Sequence, residues 1–178
     1  MSTDKRSANV VNLESVEPHT FGKGKLGART RRLGAASGGR ALGCTHHELE
    51  PGKTSYPFHF HSAFEEAMYV LEGEGTLRLG DQRIELRPGD YVSMPAGPSY
   101  AHTVANTGER RLVYLCMSGP ATPATLDVVA YPDSNKVSFA SGVEPGKVAW
   151  RDDAWTIGVV KQEDTKADYF EGEPLAKE

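Results

Sequence analysis

Short turn sequences divide the middle of this chain into runs of similar length. The segments EPG, EGEG, LGDQ, RPGD, PAG and NTG separate stretches that are rich in Val, Leu, Tyr and Thr. These stretches are ALGCTHHEL, TSYPFHFH, EAMYVLEG, GTLRLG, QRIELR, YVSMP, AHTVAN, RRLVYLCM and LDVVAYP, and their composition and spacing predict antiparallel strands rather than helices. Many short strands in one domain must close on themselves or stack as two sheets to hide their edges. We therefore expect an all-β barrel, sandwich or jelly roll.

The length of 178 residues suits one domain of ordinary size with tails. Residues 1–40 are rich in Gly, Ser, Lys and Arg, and they predict an N-terminal arm. Residues 41–131 contain the predicted strands and form the β-barrel domain. Residues 132–178 are a C-terminal extension with too many aromatic side chains for a free tail, so we expect it to pack on the barrel or on a partner subunit. These aromatic residues are Trp150, Trp155, Tyr169 and Phe170.

The composition narrows the class of partner. A net charge of −4 gives no reason to expect binding to nucleic acid or to an anionic membrane surface, which leaves a small molecule. The N-terminal sequence MSTDKRSANVV lacks the apolar segment of a secretory signal, so we expect a cytoplasmic protein. Cys44 and Cys116 are too few for a disulfide framework, and we interpret them as buried, inert thiols.

Polar residues interrupt one of the strand-like regions, in the segment PFHFHSAFEEAMYVLEG. His59 and His61 point to the same face because side chains alternate along a strand, and on the next strand Glu66 shares a face with Met68 and Val70. Burying an imidazole or a carboxylate without a partner costs roughly several kcal/mol. If these side chains face the interior, each therefore needs a metal ion or a hydrogen-bonding group as its partner. The simpler interpretation of His-x-His alone is a surface hairpin with a polar face.

The glycines around these residues complete a larger pattern. The order Gly52, six residues, HFH, four residues, Glu66, six residues, Gly73 is similar to the first signature motif of the cupin superfamily, with one extra residue before His59. Fifteen residues later, the order Gly89, five residues, PAG, four residues, His102, three residues, Asn106 resembles the second motif. The segments DVVAYPDSNKV and DYFEGE are further similar to a group of small bacterial single-domain cupins.

The resemblance implies a double-stranded β-helix, or cupin jelly roll, that holds one divalent metal ion inside and often pairs as a homodimer. The ligands that it implies here are His59, His61, Glu66 and His102. Glu66 is preferred over Glu65 because of its strand face. The usual position of the last histidine is occupied by Tyr100, and His102 follows two residues later; a phenol with a pKa near about 10 is the poorer ligand at neutral pH, so we favour His102.

Three classes of function are compatible with such a site, in which the metal could be iron, manganese, zinc or nickel. The first is an enzyme that acts on a small polar organic molecule, and within it we favour a mononuclear oxygenase (dioxygenase-like) over a sugar-phosphate isomerase. An isomerase would use basic residues at the barrel mouth, for which Lys53, Arg78, Arg83 and Arg87 are available. The second is a binding or sensor module without turnover, and the third is a barrel whose metal is structural or absent.

Tyrosines and a further histidine pair are the remaining candidates near a ligand. Tyr56 and Tyr100 are candidate acid–base groups, although tyrosines in a barrel commonly pack with a satisfied hydroxyl group. His46 and His47 alternate along their predicted strand, so we expect one of them to face the interior.

Overall fold

The computed structural model describes residues 7–119, 127–141 and 156–161. The first half contains β1 (His19–Lys23), β2 (Leu26–Arg32), the short helix α1 (Leu33–Ala36), β3 (Gly43–Leu49), β4 (Phe60–His61), β5 (Glu65–Glu72), β6 (Gly75–Leu79) and β7 (Gln82–Leu86). The second half contains β8 (Tyr91–Met94), β9 (His102–Ala105), β10 (Leu112–Gly119), β11 (Asp127–Tyr131), β12 (Lys136–Ser141) and β13 (Thr156–Lys161). Within the described part of the chain, no helix has the length and apolar character needed to cross a membrane.

The strands form two facing layers. One layer is a six-stranded sheet in the order β1-β2-β3-β10-β5-β8. The other contains the sheets β7-β6-β9 and β13-β12-β11-β4, which an isolated antiparallel bridge between His59 and His102 joins. The all-β jelly roll predicted from the sequence is confirmed.

Strands also occur outside the predicted barrel domain. β1 and β2 lie within the predicted N-terminal arm, and β2 pairs with β3 from Arg29↔Glu48 to Arg32↔Thr45. β12 and β13 lie within the predicted C-terminal extension and continue the sheet from β11. The four aromatic residues that we expected to anchor the extension fall outside the described residues. The predicted strand TSYPFHFH is reduced to Phe60–His61, because its first part bends around Pro57.

The core lies between the two layers, where alternate side chains of each strand meet. Its most deeply buried apolar residues are Leu49, Met68, Val70, Leu77 and Leu112, each at most 1% exposed. Met68 and Val70 share the inner face of β5 with Glu66, as the two-residue period requires. The metal-ligand candidates therefore lie at one end of a packed apolar core.

The opposite end of the jelly roll is closed by Asn106, whose side chain is 1% exposed. Its amide nitrogen donates to the carbonyl oxygens of Leu49 at 2.7 Å and Arg110 at 2.9 Å, and its amide oxygen accepts from the Gly108 nitrogen at 3.0 Å. Gly73, with a φ of 78°, makes the turn beside it, where a Cβ atom would overlap the Arg111 carbonyl group. These contacts fix the loops that space the strands of the site.

A buried ion cluster holds the N-terminal residues on the outer face of the six-stranded sheet. Arg31 Nη1 lies 2.5 Å from Glu48 Oε1, and Arg31 Nε donates to the Val16 carbonyl oxygen at 3.2 Å. Arg111 contacts the other carboxylate oxygen of Glu48 at 2.6 Å. Arg31 is thus a structural residue of β2.

Candidate metal centre

Three histidines lie on one wall of the jelly roll. His61 is the second residue of β4, and its ring centroid is 5.2 Å from that of His59. His59 and His102 exchange two backbone hydrogen bonds, with N···O distances of 3.1 and 2.7 Å, and their ring centroids are 4.6 Å apart. Because the backbones are paired, the three imidazoles converge without depending on a flexible loop.

The fourth side chain, Glu66, comes from β5 in the facing sheet. Its Oε2 atom lies 3.0 Å from His102 Nε2 and 3.4 Å from His61 Nε2. One ligand atom from each of His59, His61 and Glu66 lies within 4.8 Å of the others. Glu65 is exposed on the opposite face of the strand. The four residues proposed from the sequence are therefore brought together.

Each of the three imidazoles uses its Nδ1 atom for a contact outside this group. His59 and His102 each face the backbone carbonyl oxygen two residues earlier, at 2.8 and 3.0 Å, and His61 faces Asp127 Oδ2 at 2.5 Å. Carbonyl and carboxylate oxygens only accept hydrogen bonds, so Nδ1 is the donor in each case. The Nε2 atoms are then the ones available as ligands. The oxygens that accept from the Nδ1 atoms fix the orientation of each ring, as is usual for metal-binding histidines.

Asp127 is a residue of the site that the sequence reasoning missed. It is the first residue of β11, is 4% exposed, and accepts further hydrogen bonds from the Ala63 nitrogen at 3.0 Å and the Ser62 hydroxyl group at 3.4 Å. β11 pairs with β4 through Val129↔His61, which brings the carboxylate beside the histidine. The only sequence signal is an acidic residue at the beginning of an apolar strand, and this does not specify a partner.

Comparison with known sequences now identifies the family. Residues 45–118 match the family described as Cupin domain. This part of the chain is a cupin domain. The match spans β3 to β10 and includes the four residues of the candidate site.

Three similar proteins extend the comparison. Glucose-6-phosphate isomerase of Thermococcus litoralis is 30% identical over an alignment of 116 positions, which covers 58% of this chain and 58% of that protein. An uncharacterized protein of Methanocaldococcus jannaschii is 37% identical over 62 residues, 35% of this cupin and 48% of that protein. The chain thus spans about half the length of these curated relatives. The crystal structure of a proposed sugar phosphate isomerase from Acidithiobacillus ferrooxidans has a TM-score of 0.72 and 26% identity, over 90% of this chain and 96% of that one.

Burial and hydrogen bonding shift the ionisation of the cupin site in opposite directions. Burial, and then the charge of His102, lowers the pKa of His59 to about 4. Burial also acts to lower the pKa of His61, but the hydrogen bonds to Asp127 and Glu66 outweigh it and raise this pKa to about 9. For Glu66, burial opposes ionisation, yet the hydrogen bonds from His102 and His61 hold its pKa well below the usual range. A buried carboxylate that stays ionised among imidazoles is an environment that favours a cation.

The other residues considered from the sequence have different positions in the cupin domain. Tyr100 lies in a 3-10 turn with 41% of its surface exposed, and its backbone carbonyl group is the part that contacts His102. His47 faces the interior, whereas His46 faces the outer ion cluster, 3.8 Å from Glu48 Oε1. Tyr56 contacts both His47 and His59.

Proposed function

We propose that His59, His61, Glu66 and His102 bind one divalent metal ion, and that this cupin uses it to isomerise a sugar phosphate. The observation that carries the proposal is the common orientation of the three histidines, whose Nδ1 atoms are all engaged elsewhere while the Nε2 atoms of His61 and His102 approach Glu66 Oε2. Three imidazole nitrogens and one carboxylate oxygen form a donor set suited to iron, manganese, nickel or zinc.

The reaction class is supported by chemistry and by similarity. A divalent metal bound at this site would act as a Lewis acid that polarises a carbonyl group, which acidifies the neighbouring C–H bond. Glu66 Oε1, which lies 3.9 Å from Cys116 Sγ while Oε2 faces the imidazoles, is the oxygen that can take the proton from C2 and return it to C1. That transfer, together with movement of the O2 hydroxyl proton to the O1 carbonyl oxygen, exchanges an aldose for a ketose and needs no oxidant. A glucose-6-phosphate isomerase and a proposed sugar phosphate isomerase are both similar to this chain.

The basic residues predicted at the barrel mouth are poor candidates for holding a phosphate group. Arg78 contacts both carboxylate oxygens of Asp133, at 2.5 and 3.1 Å. Lys53 Nζ donates to the Gly24 carbonyl oxygen at 2.8 Å. Arg87 has 84% of its side chain exposed, and Arg83 is also exposed. These four residues therefore behave as surface residues, and none of them is favoured as a phosphate-binding group.

Arg32 is the better candidate for the phosphate group. Arg31 faces outward, so Arg32, the next residue of β2, faces the interior of the jelly roll. The cross-strand neighbours of Arg32 on this inner face are Thr45, Cys116 and Met68, in that order. The Arg32 side chain is half-buried, and burial lowers its pKa. An arginine on this wall places a positive charge on the same side of the sheet as Glu66.

The proposal is tested by metal analysis followed by a turnover assay. The protein is purified without chelator, its metals are quantified, and conversion of glucose 6-phosphate to the ketose is followed by NMR. We expect about one metal ion per chain and conversion by the parent protein. We also expect Glu66→Gln and His102→Ala to lose metal occupancy and activity, because each removes a ligand.

Glu65→Gln is the matched control, since the same change is made one residue away on the exposed face of β5. Full metal occupancy without conversion of hexose or pentose phosphates would refute the isomerase and leave the metal site standing. A parent protein that is folded and contains no metal would refute the proposed metal site. The oxygenase predicted first from the sequence stays a prediction, and oxygen uptake with the same metal-loaded protein tests it.

A further inference from the structure

A second polar cluster lies beside the candidate metal site, on the core side of His59. His47, which is 4% exposed, stacks on Tyr114 with ring centroids 4.8 Å apart and an angle of 2° between the rings. Its Nε2 atom lies 3.3 Å from the Tyr56 hydroxyl oxygen. The Tyr56 ring stacks on Phe21 at 5.0 Å and meets His59 edge-on at 6.2 Å. Tyr56 thus connects a buried histidine to one of the proposed metal ligands.

The direction of the hydrogen bond between these residues follows from the other side of the imidazole. His47 Nδ1 lies 3.2 Å from the carbonyl oxygen of Thr45, which can only accept, so Nδ1 carries the proton. Burial lowers the pKa of His47 to about 4, and the ring is therefore neutral at pH 7. A neutral ring with its proton on Nδ1 has an acceptor at Nε2. The Tyr56 hydroxyl group must donate to it.

Tyr56 lies between its buried partner His47 and His59. The residue is 38% exposed, whereas its partner His47 is enclosed. A phenol has an unperturbed pKa of about 10, so the Tyr56 hydroxyl group keeps its proton at neutral pH. With its one proton directed to His47, the oxygen can offer only lone pairs to a molecule beside His59.

We propose that Tyr56, oriented by His47, is a substrate-binding residue whose hydroxyl oxygen accepts a hydrogen bond from a substrate hydroxyl group beside His59. His47 is then a positioning residue. The inference rests on the proposed function and specifies it further, because the site selects for a donor at one position of the substrate. A polyhydroxylated ligand provides that donor, and a ligand with a deoxy carbon or a carbonyl group at that position does not.

The first test concerns the protein alone. In a 15N-resolved NMR spectrum of imidazole nitrogens, His47 of the parent protein is expected to show a protonated Nδ1 and an unprotonated Nε2 at pH 7. A proton on Nε2 would overturn the proposal, because Tyr56 would then accept from His47 and have its proton available for the ligand. This outcome does not depend on any substrate.

The second test measures binding by the metal-loaded protein. The probes are glucitol 6-phosphate, which has no carbonyl group and cannot be isomerised, and its monodeoxy analogues. We expect one analogue to bind the parent about tenfold more weakly than the full polyol, and Tyr56→Phe to bind both equally, at the weaker affinity. Equal binding of all probes by the parent, or an undiminished preference in Tyr56→Phe, would overturn the inference while leaving the isomerase in place. If neither glucitol 6-phosphate nor glucose 6-phosphate binds the parent, the proposed isomerase function is refuted, and with it the role of Tyr56 in binding this substrate.

Variants of His47 separate positioning from simple loss of structure. His47→Leu removes the acceptor and is expected to reproduce the loss seen in Tyr56→Phe. His47→Gln retains an acceptor oxygen and should stay within about threefold of the parent. Tyr91→Phe is the control for loss of a hydroxyl group, since Tyr91 is 62% exposed on the outside of β8. Thermal unfolding of every variant shows whether it is folded, and equal losses in His47→Gln and His47→Leu at unchanged Tm would contradict the positioning role.

Discussion

Replacing Asp127 by Asn should weaken metal binding through His61 rather than through any direct contact with the ion. The carboxylate accepts from His61 Nδ1 at 2.5 Å and from the Ala63 nitrogen at 3.0 Å. An Asn side chain can keep its oxygen on the Ala63 nitrogen, but its amino group then faces His61 Nδ1, where two donors would meet. His61 can accept from that amino group only if its own proton moves to Nε2, which is the atom proposed as the metal ligand.

The size of the effect can be worked from this geometry. Loss of an outer partner of a metal-binding histidine costs about 10 to 100-fold in metal affinity. Asp127→Asn stabilises the wrong tautomer, so we expect about 100-fold, equivalent to about 2.7 kcal/mol. Asp127→Ala leaves space in which water can serve as the acceptor, and we expect a smaller loss of about tenfold.

The measurement is competition for zinc or manganese between each variant and a chelator of known affinity. Asp133→Asn is the control, because Asp133 makes a surface ion pair with Arg78 and is 55% exposed. An Asp127→Asn protein that is folded, with an unchanged Tm, and binds metal within twofold of the parent would refute the reasoning. So would a greater loss in Asp127→Ala than in Asp127→Asn.

Three further predictions concern the fold around the site. Burial lowers the pKa of His47 from 6.5 to about 4, so as the pH falls the unfolded chain binds a proton at this residue before the folded chain does. Between pH 6.5 and about 4, this difference should lower the free energy of unfolding by up to about 3 kcal/mol. In urea unfolding experiments, the stability of His47→Gln should therefore fall by about 3 kcal/mol less than that of the parent over the same pH range. Asn106→Ala removes three hydrogen bonds of a side chain that is 1% exposed and should lower the free energy of unfolding by about 3 kcal/mol in urea titrations. A loss below about 1 kcal/mol would contradict the closing role of this residue. Burial raises the pKa of both Cys44 and Cys116, so iodoacetamide at pH 8 should label them far more slowly in the native protein than in urea, and equal rates would contradict their assignment as inert thiols.

The strands of the central domain could be predicted because each carries its own signal. β5 alternates Glu66, Met68 and Val70 inward, and turn residues mark both of its ends. β2 carries the opposite signal, since its sequence LGARTRR is basic and poor in apolar residues. It is a strand because Glu48 and the Val16 carbonyl group satisfy Arg31, and both are distant in sequence. Tertiary contacts of this kind override local preference.

The candidate site likewise contains residues that the local sequence predicts and residues that only the tertiary structure brings in. His59, His61 and Glu66 lie within eight residues of the sequence, and two adjoining segments place them by alternation alone. The preference for His102 over Tyr100 came from ligand chemistry, and the structure places His102 beside Glu66. Asp127 could not be linked to the site, and the sequence could not decide which of His46 and His47 faces the interior, because both questions depend on which strands become neighbours. Whether the chain pairs as a homodimer stays a prediction, which light scattering at micromolar concentration can test.

The geometry also links the candidate metal site to the second layer of the fold. β4 contains only Phe60 and His61, so its pairing with β11 is short, and the contact between His61 and Asp127 supplements it with a buried charge-assisted hydrogen bond. A metal bound through His61 Nε2 would fix the ring that Asp127 contacts on its other side. Because a ligand that binds only the native state stabilises it by about 2.7 kcal/mol at 100 times its Kd, part of that stabilisation should reach β11 and β12. Hydrogen exchange of the backbone amides in these two strands should therefore slow when metal is added, and the effect should disappear in Asp127→Ala while the protection of β5 is kept.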